Sequence, residues 1–219
     1  MENLYFELMN EVDKVGVLTL AQRKRLWKEF DNLSFKNATS GKSKRIQLAI
    51  ECIRKATNNW DEINLKESVN NILQNVDLEN FNDNYKEKLE EFYSMCEREV
   101  ARTNIFTISY LQQAVSHFIQ ILDEDEPLID QDYGTIDQDN DLEFDELDTS
   151  YCTSIVWKYQ DKQNQEEERN NKEKEFWKWY VKEASKIQGI KCKYEPDIVE
   201  YTKSRSREII ESLEELVKK

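Results

Sequence analysis

The chain contains few of the residues that build turns. Its 219 residues include only four glycines and two prolines. Tight β-turns and hairpins depend on Gly, Pro and Asn-Gly pairs, so this scarcity disfavours a sheet or a barrel. Glu, Lys, Gln and Leu, which are strong helix formers, are abundant instead. We therefore expect an all-α fold.

Histidine and paired cysteines are also scarce. One histidine, His117, cannot supply a His-rich metal site or the two Glu-x-x-His pairs of a di-iron bundle. It points away from the apolar face of its predicted helix, so we interpret it as a surface residue rather than a catalytic one. The cysteines (Cys52, Cys96, Cys152 and Cys192) form no CxxC pair. We predict buried free thiols, as expected in a reducing compartment such as the cytoplasm.

Long apolar runs are missing as well. No window approaches the roughly 18 apolar residues needed to span a bilayer. The N-terminus has neither the basic region nor the apolar core of a signal peptide, so we expect no membrane association. Residues 2–7 read ENLYFE, and we interpret them as the native start of a helix because Leu4, Leu8, Val12 and Val15 keep a helical period. The 11% aromatic content excludes a disordered chain.

Apolar periodicity predicts about eight helices in a single domain over residues 1–219. The clearest helix, at residues 43–60, has an apolar stripe of Ile46, Ala49, Ile50, Ile53, Ala56 and Trp60. Thr19 and Gln22 match a capping box, and Thr107 is predicted to cap a later helix. Residues 37–40 are predicted to form a loop that Gly41 punctuates.

The charge of the chain is concentrated in residues 123–148, which we call the acidic segment. It holds thirteen Asp and Glu and no Lys or Arg. The whole chain has a net charge of −14, but outside this segment 32 acidic residues face 31 basic ones. At 26 residues it is also longer than ordinary connections, and such loops are usually functional or disordered. We predict a long acidic loop between helices.

Three interpretations of the acidic segment remain open at this point. A solvated loop that aids solubility is the usual behaviour of a charge run. A docking surface for a basic protein is the second, because clustered carboxylates attract a cationic partner and interleaved apolar residues anchor it. Phosphate repulsion disfavours nucleic acid. The predicted partner-binding residues are Asp137, Asp139, Asp141, Glu143, Phe144, Asp145, Glu146 and Asp148.

Calcium binding is the third interpretation. Asp137, Asp139 and Asp141 occupy positions 1, 3 and 5 of a twelve-residue calcium loop. The sixth position is Leu142 where the loop needs Gly, and the twelfth is Asp148 where a longer Glu normally chelates. We therefore predict no metal and no cofactor.

Two further motifs have structural explanations. SGKS at residues 40–43 matches the end of a phosphate-binding loop, but Lys36 stands where the first Gly belongs and no apolar strand precedes it. FWKWY at residues 176–180 is interpreted as core, with Trp177 and Trp179 on different faces of a helix.

Four pieces of the chain follow one another in a distinctive order: RIQLAIECIRKATNNW at 45–60, YLQQAVSHFIQIL at 110–122, the acidic stretch, and KEFWKWYVKEA at 174–184. In this order they resemble the helical immunity proteins of bacterial polymorphic-toxin and contact-dependent growth inhibition systems. The resemblance implies a non-enzymatic protein that neutralises one secreted toxin domain, often a basic nuclease. A helical scaffold or regulatory domain is the alternative function.

Overall fold

Eight α-helices make up the part of the chain that the structure describes. The structure is a computed structural model and describes residues 2–32, 38–58, 65–74, 83–103, 105–123, 148–160 and 165–190. These residues contain no β-strand, so the predicted all-α class is confirmed. The helices are α1 (Glu2–Val15), α2 (Leu20–Asn32), α3 (Ala38–Thr57), α4 (Leu65–Gln74), α5 (Asp83–Thr103), α6 (Phe106–Asp123), α7 (Thr149–Lys158) and α8 (Glu166–Ile187).

Helix α3 lies at the centre because it has apolar side chains on two faces. One face packs into a cluster with α4, α5 and α6, to which it contributes Ile46, Ala49, Ile53 and Ala56. The other face, with Leu48 and Cys52, packs into a second cluster formed by α1, α2 and α8. In the stripe predicted from the sequence, four residues are therefore buried as expected and Ile50 is partly buried against the same cluster, while Trp60 lies outside the described residues.

Local sequence signals set several helix ends. The backbone N–H of Thr19 donates to Gln22 Oε1 at 2.8 Å, and the N–H of Gln22 donates to Thr19 Oγ1 at 3.3 Å, so the predicted capping box is confirmed. Helix α1 ends before Gly16, whose φ of +93° is accessible mainly to glycine. Gly189, with φ of +77°, follows α8 in the same way.

Two predicted helix starts were wrong. Helix α3 begins at Ala38, so residues 38–40 are helical and Gly41 is a buried residue inside the helix rather than a loop residue. Helix α6 begins at Phe106, which places Thr107 in its first turn instead of at its cap. At the start of α3 the polar stretch around Gly41 resembled a loop, but the helix runs through it, and Gly41, Ile46 and Leu48 are buried there.

Helix α7 connects the end of the acidic segment to both apolar clusters. Its Val156 joins the α3–α6 cluster, while Tyr151 and Trp157 pack against the cluster of α1, α2 and α8. The Thr149 hydroxyl donates to the Ala114 carbonyl at 3.1 Å, which fixes the start of α7 beside the middle of α6. The point where the chain leaves the acidic segment is therefore held by the core.

Candidate partner-binding surface

Asp148, the last residue of the acidic segment, is the N-cap of α7. Its backbone is extended, with φ of −76° and ψ of 165°. Its Oδ1 accepts hydrogen bonds from the backbone N–H groups of Ser150 and Tyr151, at 2.8 and 3.2 Å, and from the Ser150 hydroxyl. These bonds satisfy N–H groups that have no partner within the helix.

The other carboxylate oxygen of Asp148 binds Arg23 of α2. Arg23 Nε donates a hydrogen bond to Oδ2 at 2.9 Å, and Arg23 Nη2 lies 2.7 Å from the same oxygen in an ion pair. The Arg23 side chain is fully buried, and that of Asp148 is 16% exposed. Arg23 also donates to the Leu18 carbonyl, and its guanidinium lies 5.3 Å from the centre of the Trp177 ring. The arginine is thus enclosed by hydrogen-bond acceptors and an aromatic face, as a buried cation requires.

The electrostatics of this pair favour the charged carboxylate. Burial alone would raise the pKa of Asp148, but the positive charge of Arg23 and the hydrogen bonds from Ser150, Tyr151 and Arg23 bring it below its ordinary value. Asp148 therefore stays ionised near neutral pH. The ion pair links two parts of the chain that are 125 residues apart.

Among the eight predicted partner-binding residues, Asp148 is the one that the structure describes. Both of its carboxylate oxygens already have partners within the chain, so its geometry shows an anchoring role at the base of the segment. Contact with a partner remains a prediction for Asp148 and for the other seven, which lie outside the described residues: Asp137, Asp139, Asp141, Glu143, Phe144, Asp145 and Glu146.

Sequence reasoning missed Arg23 as a residue of this site. A signal was present, because Arg23 precedes Leu26 by three residues and Trp27 by four, which places it on the apolar face of α2. A cation on such a face needs a buried acceptor. An Asp directly before the helical pattern of α7 is also a recognised N-cap signal.

A second polar contact connects α2 to α8 within the same cluster. Trp27 Nε1 donates to the Tyr180 hydroxyl at 2.8 Å. Burial raises the pKa of Tyr180 well above its ordinary value, so this hydroxyl stays neutral. In the aromatic block, Trp177 is fully buried and Trp179 is only partly buried, so the two tryptophans lie on different faces as predicted.

A groove of about 850 Å³ lies between α4 and α5. Ile72 and Phe92 are buried residues of its lining. Its charged lining residues are Glu87, Lys88, Glu90, Glu91 and Arg98. The described lining contains neither His nor Cys, and its charges are of both signs. The groove therefore has no clear selectivity for a charged ligand.

Three cysteines and the histidine fall within the described residues. Cys52, Cys96 and Cys152 are buried free thiols, as predicted, and Cys192 lies outside the described residues. Burial raises the pKa of the Cys96 thiol to about 12, and it raises the pKa of the other two well above the ordinary value. His117 lies between the side chains of Gln113 and Gln120 on α6, at 2.9 Å from each.

The remaining candidate features concern phosphate binding, metal binding and membrane spanning. Residues 40–43, the SGKS motif, lie within α3 and form helix rather than a phosphate-binding loop. Across the described ranges, no three His, Cys, Asp or Glu side chains are grouped so that they could hold a metal ion. Within the same ranges, no helix is both long enough and apolar enough to cross a membrane.

Comparison with known proteins identifies a family. No curated protein and no solved structure matches the chain significantly. A family model described as Immunity protein Imm5 matches residues 7–187, which is more than four fifths of the chain. The match includes both partners of the Arg23–Asp148 pair and all of the acidic segment. The chain belongs to the Imm5 family of immunity proteins.

Proposed function

We propose that this protein neutralises a cognate bacterial toxin by binding it through the acidic segment, without chemical turnover. The observation that carries the proposal is the distribution of charge within a member of an immunity-protein family: thirteen carboxylates lie in 26 consecutive residues, and the rest of the chain is almost neutral. Clustered carboxylates raise the association rate of a cationic partner by about 10- to 1,000-fold.

The partner that fits this segment is a basic toxin domain, such as a nuclease. Its cationic surface would face Asp137, Asp139, Asp141 and the acidic residues that follow them. Phe144, between Glu143 and Asp145, supplies an apolar side chain that can fill a pocket on the toxin. Such an anchor is needed because charge complementarity raises the association rate more than it raises the affinity. The protein would act in the cytoplasm, as part of a polymorphic-toxin or contact-dependent growth inhibition system.

The Arg23–Asp148 pair supports the proposal from the described part of the chain. It holds the end of the acidic segment against the core at a fixed point. A binding segment with a fixed end loses less conformational entropy when it docks than one with a free end. The core thus acts as a rigid support for the segment.

A pull-down from the native cells tests the proposal. The tagged full chain serves as bait, bound proteins are identified by mass spectrometry, and parallel samples are washed in rising salt. We expect one stoichiometric basic protein that salt releases, because screening weakens contacts between exposed charges. A partner that stays bound at about 1 M salt, where the screening length is near 3 Å, would place the interface away from the acidic segment.

A further inference from the structure

The α2–α3 hairpin has a charge opposite to that of the chain as a whole. Residues 20–50 contain eight Lys and Arg and only two acidic residues, a net charge of +6 within a chain of −14. Helix α2 contributes Arg23, Lys24, Arg25 and Lys28. Helix α3 has no acidic residue before Glu51. We call these two helices the basic hairpin.

Arg23 is buried, but the other described cations of the basic hairpin are at least partly exposed. Arg25 and Lys28 are exposed, Lys24 is half-buried, and Lys42, Lys44 and Arg45 are half-buried in the first turns of α3. Lys28 is four residues from the end of α2, and Lys42 is four residues from the start of α3. Because α2 and α3 pack against each other, these two positions lie at similar distances from the end of the hairpin where the helices are connected. Glu7 of α1 pairs with Arg25 at 3.2 Å.

The acidic segment is joined to the core beside this hairpin. Asp148 binds Arg23, and Lys24 and Arg25 are the next two residues of α2. The hydrogen bond from Thr149 to the Ala114 carbonyl places the start of α7 about 14 Å, along α6, from Asp123. The 24 residues between these two ends can extend to roughly 80 Å, so chain length does not prevent them from reaching α2 and α3.

We propose that the basic hairpin is the docking surface for the chain's own acidic segment, residues 124–147. Charge complementarity and attachment at Arg23 carry this inference. A tethered segment meets a surface on the same molecule at an effective concentration in the millimolar range, which a second copy or another acidic protein does not reach in dilute solution. Toxin binding is not required for this contact. If a cationic partner does bind the segment, it competes with the hairpin for the same carboxylates.

Zero-length cross-linking of the purified full chain tests the proposal. A carbodiimide joins a lysine amine to a carboxylate only when the two are in contact, and mass spectrometry of the monomer band identifies the pairs. We expect residues 124–147 to be joined to Lys24, Lys28, Lys42 or Lys44, and these products to be lost in about 1 M salt. Lys88 on α5 and Lys182 on α8 serve as control amines.

A pair of matched variants distinguishes docking on the basic hairpin from a general attraction of the acidic segment to any cationic surface of the chain. Arg25→Gln with Arg45→Gln removes two charges from the hairpin but keeps its lysines, so the yield of hairpin cross-links should fall at least about threefold. Arg98→Gln with Arg102→Gln removes two charges from α5 and should leave the yield unchanged. Circular dichroism verifies the fold of both variants.

Three results would overturn the proposal. The first is a uniform distribution of cross-links that includes Lys88 and Lys182. The second is the absence of any cross-link from residues 124–147 to the hairpin at low salt. The third is confinement of the hairpin cross-links to a dimer band, which would assign the surface to a second copy of the chain. None of these results bears on whether a toxin binds.

Discussion

At the residue scale, the Arg23–Asp148 pair combines an ion pair and a helix cap in one carboxylate. Asp148 Oδ1 accepts from backbone N–H groups of α7, and Oδ2 accepts from the Arg23 guanidinium. Breaking a buried pair by removing one partner is costly, because the other charge stays in a low-dielectric site. The pair therefore connects the stability of α7 to that of α2.

A double-mutant cycle should reveal this coupling. Asp148→Asn keeps a capping side chain but leaves Arg23 without its counter-charge, so we expect a loss of about 3–5 kcal/mol in the free energy of unfolding. Arg23→Met should also destabilise the protein, since it leaves the carboxylate unpaired. The double variant should lose less than the sum, with a coupling energy of about 0.5–3 kcal/mol in urea unfolding. Strictly additive losses would mean that the pair contributes no interaction energy.

The stability of the protein should depend on the ionisation of Asp148. Its pKa in the folded state lies below its ordinary value, so its contribution is fully present above about pH 4 and is lost as the pH falls through the folded-state pKa. The difference in unfolding free energy between the wild type and Asp148→Asn should therefore be largest near neutral pH and smaller in acid.

Asp13 offers a matched control for this pH dependence. Partial burial raises the pKa of Asp13, but the positive charges and hydrogen bonds of Lys178 and Lys174 lower it by more. The net shift is therefore downward, as for Asp148. It lies in a half-exposed cluster, where an ion pair contributes only about 0–1 kcal/mol. Asp13→Asn should have a small effect at every pH. An Asp148→Asn effect equally large at pH 3 and pH 7 would contradict an ionic origin.

At the element scale, two helices end at glycines in the left-handed region. Gly16 follows α1 and Gly189 follows α8, with φ of +93° and +77°. The N–H of Gly16 donates to the Val12 carbonyl, and the N–H of Ile190 donates to the Ser185 carbonyl, which completes the last turns. A Cβ added at either glycine would meet no atom within 4 Å, so a substitution affects the backbone conformation alone.

Alanine at either glycine should destabilise the protein through this backbone term. We expect Gly16→Ala and Gly189→Ala each to cost about 1–2 kcal/mol in denaturant unfolding. Gly→Asn at the same positions is the control, and it should cost less because Asn adopts the left-handed region more readily. Equal losses for Ala and Asn would indicate that something other than φ determines the cost.

The sequence predicts helices well where an apolar stripe and a side-chain cap agree. Helix α1 begins and ends where the pattern places it, and the Thr19–Gln22 box is formed. The start of α3 could not be predicted from local pattern, because Gly41 and its polar neighbours resemble a loop and only packing in the folded chain makes them helical. The candidate site was predicted only in part. The acidic segment is visible as composition, but a bond between Arg23 and Asp148 joins residues far apart in sequence and depends on the fold.

At the scale of the whole molecule, charge is distributed unevenly over a helical core. The acidic segment holds most of the negative excess, and the basic hairpin holds a positive one. The described helices form two apolar clusters that share α3. The expected single domain over residues 1–219 remains a prediction, and residues 191–219 lie outside the described residues.

Under the proposed function, the acidic segment attracts a cationic toxin over a distance of about 10 Å at 0.1 M salt. Removing its charge should therefore slow association more than it speeds dissociation. Removing the same amount of negative charge from another part of the chain should have little effect on the association rate. Comparison of two variants with equal net charge separates these possibilities.

The most direct test is the association rate of the isolated toxin domain as a function of salt. It compares the wild type with Asp137→Asn/Asp139→Asn/Asp141→Asn and with Glu166→Gln/Glu167→Gln/Glu168→Gln, which removes three exposed charges from the start of α8. We predict that the first variant associates about tenfold more slowly at low salt and has a flatter salt dependence, while the second behaves like the wild type. Equal rates and equal salt dependence for all three proteins would contradict binding through the acidic segment.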